Sequence, residues 1–466
     1  MARPGTLRAE MWKLAQLGGP LALIQLGQGL TGVVDVAVLG RAGPTLLGGV
    51  GLGNAYFFGI GILGMGVMHG LDPLIAQALG AGERGRARRL VWQGLWLALA
   101  LSAVLALPIV LSPRVMIPLG IDPAAVEQAA EFLSWRVWGL PFFLVYFAPR
   151  ALLQAQHRTR PMLLAVALAN VVNLVLVVLL VFGGAGLPAW AGPLRAVPAY
   201  GVAGSAWASN IASVLQMVVL AFAVRSELRG APRNDAGRRA ALPDRRELAL
   251  AFRVGLPAGL HMCAEANFFA VLASTIAGRL GTIPLAAHQL ALQLPSLTFL
   301  GVIGLGNAGS VRVGQAVGAG DREGARRAGL AALLGASGFM TCTAVAFVSL
   351  ADPIARLMTT DPQVYAVAVP LLRLAGAFQL FDGLQGVAAG VLRGAGDIKY
   401  TFAANMLAFW ALGLPVLLLL TFWLRWGVVG LWVGFVFSLA ILAAILVRRF
   451  LRISSREIVP LAEREA

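Results

Sequence analysis

Lysine is almost missing from this chain of 466 residues: 2 stand against 35 arginines. Cysteine is equally scarce, with Cys263 and Cys342 each inside an apolar run, so neither a disulfide framework nor a thiolate metal site can be built. There are only four histidines, none of them beside a Ser or Cys in a nucleophile-and-base pattern, and an enzyme is not expected. The sequence has no G-x-x-x-x-G-K-[ST] phosphate loop, no H-E-x-x-H zinc motif and no polar stretch long enough to fold into a nucleotide-hydrolysing domain. ATP-driven work and zinc chemistry are therefore excluded, and no cofactor is expected. Ten-residue alternating segments are absent too, which excludes a transmembrane barrel.

What the chain has instead is apolar length. Hydrophobic residues make up 59% and charged residues 12%, and the mean hydropathy is +0.80. A hydrocarbon slab about 30 Å thick takes roughly 20 apolar residues per helix. That window finds twelve spans, beginning near residues 14, 46, 90, 130, 160, 200, 249, 284, 328, 365, 400 and 426. The run from Leu14 to Leu39 is too long for a removable signal peptide and is read as the first span. Most of the 37 Lys and Arg residues, among them Arg84, Arg86, Arg88, Arg89, Arg326, Arg327, Arg448 and Arg449, fall on one side if the N-terminus is cytoplasmic. Both termini are then cytoplasmic. The net charge of +16 is accounted for by topology and anionic lipid headgroups, so no nucleic acid partner is implied. The arginine excess suggests a high-GC bacterial genome, hence an inner membrane.

The string AQALGAGERGRARR at Ala76–Arg89 returns as GQAVGAGDREGARR at Gly314–Arg327. Gly19-Pro20 matches Leu256-Pro257, and Asp122-Pro123 matches Asp361-Pro362. A duplicated membrane domain follows. The expected fold is an all-α integral membrane protein with twelve transmembrane helices in two pseudo-symmetric six-helix bundles. Residues 1–224 form the N-terminal lobe, 225–247 a basic cytoplasmic linker with Pro232 and Pro243, 248–447 the C-terminal lobe and 448–466 a cytoplasmic tail. Six spans per half give both halves the same polarity, and a cleft on the axis between them is the expected substrate path. Pro20 and Pro257 mark equivalent places where a missing backbone donor lets a helix bend.

Acids inside the bilayer cost about 2.5 to 3.5 kcal/mol each on insertion scales, so they mark a cavity or an ion path. Four qualify: Asp35 in the first span, Asp72 toward the inner end of the second, Glu265 in the seventh and Asp382 in the tenth. In the repeat, Glu265 stands opposite Gln28, Asp382 opposite Phe143 and Asp72 opposite Ser310, so the two halves divide the charge unequally. The charges embedded in the membrane read as mainly acidic.

The stretches QLGQGLTGVVDVAVLGRAG, YFAPRALLQAQHRTRPMLLAVALANVVN, GVAGSAWASN, GLGNAGSVRVGQAVGAGD and FQLFDGLQGVAAGVLRGAGD, in this order, resemble the multidrug and toxic compound extrusion family, NorM-type branch above all. The likeness spans nearly the whole chain. It implies an antiporter in which inward flow of H+ or Na+ drives export of cationic amphipathic compounds by alternating access at a V-shaped cleft. It also implies that the cation- and substrate-coupling residues are Asp35, Asn173, Glu265 and Asp382, with Na+ held at Glu265 and Asp382 if sodium is the coupling ion. Where some sodium-coupled relatives have a tyrosine one turn before the acid of the tenth span, this chain has Phe378, which weakens the sodium case.

Secondary candidates are Gln28, His261 one turn before Glu265, and Asp72 with Arg312, an opposite-charge pair at similar depth suited to an inner gate. Tyr56, Phe57, Phe58, Phe268, Phe269, Phe378 and Phe381 are candidate walls for an organic cation, through cation–π attraction of about 0.5 to 2 kcal/mol. Each residue also has a structural reading: Asp35 and Asn173 as interhelical glue, His261 as a satisfied core histidine, the aromatics as core or lipid-facing groups. The partners expected are small organic cations, H+ or Na+ and the lipid bilayer, for a monomer. The alternative is a flippase-like exporter of a lipid-linked or polar metabolite, which is expected to line its path with cationic groups for phosphate.

Overall fold

The computed structural model describes residues 6–42, 44–118, 121–185, 189–229, 241–456 and 458–464. Part of the expected linker, 230–240 with Pro232, lies outside them. Every regular element among the described residues is helical. We number the twelve spans α1 (Leu7–Ala42), α2 (Pro44–Met68 and Leu71–Gly80), α3 (Arg84–Leu111), α4 (Pro123–Ala155), α5 (Arg160–Phe182), α6 (Gly201–Arg229), α7 (Arg245–Arg279), α8 (Thr282–Gly318), α9 (Arg322–Ser349), α10 (Pro362–Gly394), α11 (Ile398–Trp423) and α12 (Gly427–Ser454). Ten helical segments among the described residues are long and apolar enough to cross a membrane; α1 and α7 complete the twelve.

The internal repeat is legible in how helices begin. Asp122 caps α4 by accepting from Ala124 N at 3.1 Å, and Asp361 caps α10 by accepting from Gln363 N at 2.7 Å, each with a proline at the first helical position. A side-chain acceptor satisfies an orphan N–H there, and proline sacrifices a donor the helix does not use. The repeated basic string builds the same turn twice: α2 ends before Gly82 at φ +78° and α8 before Gly320 at φ +68°. A side chain would strain both positions.

The packed units do not follow the two sequence halves. One unit contains the chain up to Gln25, Asp72–Glu83 and everything from Leu260 onward; the other contains Leu26–Leu71 and Arg84–Gly259. Thus α1 changes unit five residues past Pro20, and α7 two residues past Pro257. Both prolines lie inside continuous helix, at places where the i−4 carbonyl loses its donor and bending is cheapest.

In the second of these units, α2 crosses the start of α7 backbone to backbone. A Cβ on Gly66 would lie 2.4 Å from Gly259 Cα, and one on Gly70 2.5 Å from Gly255 Cα. Small residues spaced by four let helices approach this closely. In the first unit Gly318 of α8 meets Gln77 of α2 in the same manner, a Cβ there falling 1.9 Å from the Gln77 carbonyl oxygen.

Candidate functional site

Two polar clusters form, one in each unit. In the unit of Leu26–Leu71 and Arg84–Gly259, residues 27, 28, 31 and 35 recur at helical spacing and share a face of α1. Asn173 Nδ2 of α5 donates to Asp35 Oδ1 at 2.7 Å, and both side chains are buried. One turn away, Thr31 Oγ1 donates to Asn170 Oδ1 at 2.6 Å while Asn170 Nδ2 donates to the Gly27 carbonyl at 2.8 Å. Gln28 Nε2 reaches Tyr146 Oη of α4 at 3.3 Å. The expected pairing of Asp35 with Asn173 is thus present, and Gln28 lies on the same polar face.

The same unit buries two arginines in α4. Arg136, 4% exposed, stacks its guanidinium 4.2 Å from the centroid of the Phe57 ring and donates from Nη1 to Asn210 Oδ1 at 2.8 Å. It lies within electrostatic reach of Asp35. Arg150 donates to Gln154 Oε1 at 2.9 Å and makes a 3.1 Å contact with His69 Nδ1. The expectation of mainly acidic embedded charge needs this correction: guanidinium groups are present too, made tolerable by aromatic stacking and side-chain acceptors. Their signal is two arginines inside an apolar span, masked by the arginine excess of the whole chain.

The second cluster lies in the other unit, in the part that runs from Leu260 of α7 onward. His261 Nε2 contacts Glu265 Oε2 at 3.0 Å, one turn along the helix. The other Glu265 oxygen, Oε1, accepts from Gln385 Nε2 of α10 at 2.8 Å, and the same nitrogen lies 3.1 Å from Asp382 Oδ1. Glu265, Asp382 and His261 therefore come together as expected. Gln385, three residues after Asp382 on the same helical face, is not among the residues the sequence singles out. Among the described residues its Oε1 is buried without a partner, as is Oε1 of Gln379, whose amide donates to Thr298 Oγ1 of α8.

Beside this acid pair α7 is wound as a π segment at Phe268–Leu272, and α11 as another at Met406–Gly413. The wider turn shifts Phe268, Phe269 and Phe409 into one aromatic nest with Phe378, Trp432 and Phe435, ring centroids being 4.9 Å apart for Phe268–Phe409 and 5.7 Å for Phe269–Phe378. Such segments recur where a helix must re-aim side chains at a site. Phe57, Phe268 and Phe378 are fully packed, so as wall candidates they serve as core. Phe58 is 47% exposed, and Tyr56, Phe269 and Phe381 are partly exposed.

Arg312 and Asp72 fall in one unit. Asp72 is buried in the first turn of Leu71–Gly80. The carboxylate on Arg312 is that of Glu10 in α1, with Nη2 to Oε2 at 2.6 Å, and Lys13 Nζ contacts the other Glu10 oxygen at 2.9 Å. Glu10 escapes a sequence reading because it lies 302 residues from Arg312 in a start that reads as basic.

The profile of the MatE family matches residues 20–179 and 257–419, one stretch in each half. A "Probable multidrug resistance protein NorM" from Mesorhizobium japonicum is 34% identical over 461 residues, covering 96% of this chain and 94% of that protein. A "Multidrug resistance protein MdtK" from Edwardsiella ictaluri is 30% identical over 448 residues, covering 94% and 95%. The crystal structure of the eukaryotic MATE transporter AtDTX14 shares the fold, with a TM-score of 0.85 at 20% identity over 99% of this chain and 100% of that one. With the profile matched in both halves and a relative 34% identical over nearly its full length, this chain belongs to the MatE family: it is a multi-pass membrane transporter and not an enzyme.

Proposed function

We propose that the protein is a cation-coupled multidrug antiporter, exporting cationic amphipathic compounds by alternating access in exchange for H+ or Na+. The observation that carries this reading is the acid pair: Glu265 and Asp382 on different helices share one amide donor, Gln385 Nε2, at 2.8 and 3.1 Å. Two carboxylates brought this close inside a bilayer repel unless a positive charge joins them, and the repulsion grows as water is excluded. A small cation and a lipophilic organic cation then compete for one site, which is the requirement for exchange.

Asp35 is served differently. Arg136 already supplies a fixed positive charge to its lobe, so the coupling cation of this reading enters at Glu265 and Asp382, while Asp35 and Asn173 respond to protonation or to the organic cation. Phe378 brings no oxygen to the acid pair and is packed among rings, which favours H+ over Na+. The flippase reading is the weaker: Arg136 and Arg150 are engaged with side-chain acceptors, leaving them poorly placed to grip a phosphate. The reading sets the chain in an inner membrane as a monomer with both termini cytoplasmic, the basic turns at Arg84–Arg89 and Arg322–Arg327 lying on that side.

The test is efflux of a fluorescent organic cation from proteoliposomes under a proton gradient and a sodium gradient imposed separately. Export should follow one gradient and lose that response in Glu265→Gln and in Asp382→Asn. Unchanged response in both variants would remove the acid pair from the mechanism.

A further inference from the structure

Gln385 is 1% exposed, in the second half of α10, at the contact with Glu265 of α7. Its amide nitrogen serves both acids while its oxygen is buried without a partner among the described residues. A carboxylate only accepts, so the NH2 side must face the pair, and the unpaired oxygen is the consequence. Leaving a buried carbonyl-type oxygen unmet is unfavourable. The arrangement is therefore held by the need of two carboxylates for positive density, which outweighs the orphaned oxygen.

We propose that Gln385 is an internal stand-in for the coupling cation: its N–H dipole occupies the position between Glu265 and Asp382 while the site is empty, and an entering cation must displace it. This rests on the reading of the acid pair as the cation site. The amide keeps the empty site from collapsing apart by charge repulsion, and it sets the concentration at which a cation can win. Displacement frees the amide to turn its unpaired oxygen toward the positive charge, so the residue is satisfied differently in the empty and filled states. Such a two-way element is what exchange between states requires.

Among the described residues, the titratable groups joined to the amide by hydrogen bonds, directly or through Glu265, are His261 and Glu265 on α7 and Asp382 on its own helix. Among the described residues, the helices packed along α10 bring neutral side chains to this level, Phe299 of α8 against Gly386 and Met340 of α9 against Gly383, while Thr298 against Gln379 and Trp432 against Phe378 lie nearly two turns away. His288 of α8 is turned away, with Nδ1 accepting from Trp432 Nε1 at 3.2 Å.

The experiment measures the half-saturating concentration of the driving cation in proteoliposomes, with external Na+ titrated at fixed pH in one arm and H+ titrated without Na+ in the other. Gln385→Met keeps length and removes the donors; Gln385→Asn keeps an amide too short to reach across to Glu265. With the competitor gone, half-saturation in the arm that drives export should fall roughly tenfold or more in Gln385→Met and by a smaller factor in Gln385→Asn, the size expected for hydrogen bonds to charged groups. A merely structural role would lower the maximal rate and leave half-saturation unmoved. Half-saturation within twofold of the unaltered protein in both variants overturns the proposal. Glu265→Gln and Asp382→Asn are run alongside: if they keep their gradient response, the acid-pair reading falls and this inference with it; if they lose it while the Gln385 variants stay within twofold, this inference alone falls.

Discussion

Asn173 Nδ2 lies 2.7 Å from Asp35 Oδ1, joining α5 to α1 with both side chains closed off from solvent. The bond uses the amide donor and leaves Asn173 Oδ1 without a partner among the described residues, so the asparagine is oriented by the carboxylate it serves. Removing a donor from a buried carboxylate costs about 1.5 to 3 kcal/mol. Asn173→Leu should therefore slow gradient-driven efflux by roughly 10-fold or more, with folded protein still recovered, and Asn173→Ser should restore part of it. Initial efflux rates in proteoliposomes decide; equal rates for Asn173→Leu and the unaltered protein would make the contact packing only.

Arg136 and Asp35 are predicted to be energetically coupled. Removing one of two buried opposite charges that feel each other strands the other, whereas removing both costs less. Arg136→Gln should lower thermal stability in detergent more than the double variant Arg136→Gln/Asp35→Asn does. A coupling energy of about 0.5 to 3 kcal/mol in the double-mutant cycle is expected. Strict additivity would show that Arg136 answers only to Phe57 and Asn210.

The crossing of α2 and α7 at Gly70 and Gly255 leaves no room for a side chain. A Cβ on Gly255 would sit 2.0 Å from the Val67 carbonyl oxygen, backbone that cannot move aside cheaply. Gly255→Val should cost about 1 to 3 kcal/mol from overpacking and lower the melting temperature. Gly51, with open space around it, is the control: Gly51→Ala should leave melting and efflux unchanged. Equal melting of Gly255→Val and Gly51→Ala would contradict the packing described.

Outside the spans, Asp352 in the short helix Ala351–Met358 accepts from Tyr365 Oη at 2.8 Å and from Arg373 Nη2 at 3.0 Å. The Tyr365 hydrogen bond first, then Arg373, holds its carboxyl below the ordinary carboxylate value. A group depressed in the folded state contributes stability that is present above its unfolded value and is lost as pH falls through the folded one. The melting-temperature gap between the unaltered protein and Asp352→Asn should thus be small at neutral pH and vanish below the carboxylate range. A gap that widens with acid would reverse the sign.

Much of this architecture is legible in the amino-acid sequence alone. Apolar runs long enough to span, a basic string repeated 238 residues on, and acids where acids are expensive identify the twelve helices and bring forward Asp35, Glu265 and Asp382. The rest depends on the third dimension. Gln385 carries no charge and stands out on no hydropathy scale, so nothing marks it until α7 sets Glu265 against it. Arg136 and Arg150 are hidden by the abundance of arginine. Glu10 meets Arg312 across 302 residues, and the transfer of α1 and α7 between packed units beside Pro20 and Pro257 is a matter of long-range contact that periodicity does not encode.

The central claim, that an organic cation and a small cation share the Glu265–Asp382 site, is tested most directly by ion release on binding. A fluorescent organic cation is titrated into purified protein in a weakly buffered solution, with a pH electrode and a sodium electrode recording together. We expect release of one of the two ions in proportion to dye bound, reduced to background in the Glu265→Gln/Asp382→Asn double variant, whose dye affinity should fall as well. Dye bound with full affinity and no ion released, by either protein, would contradict the account.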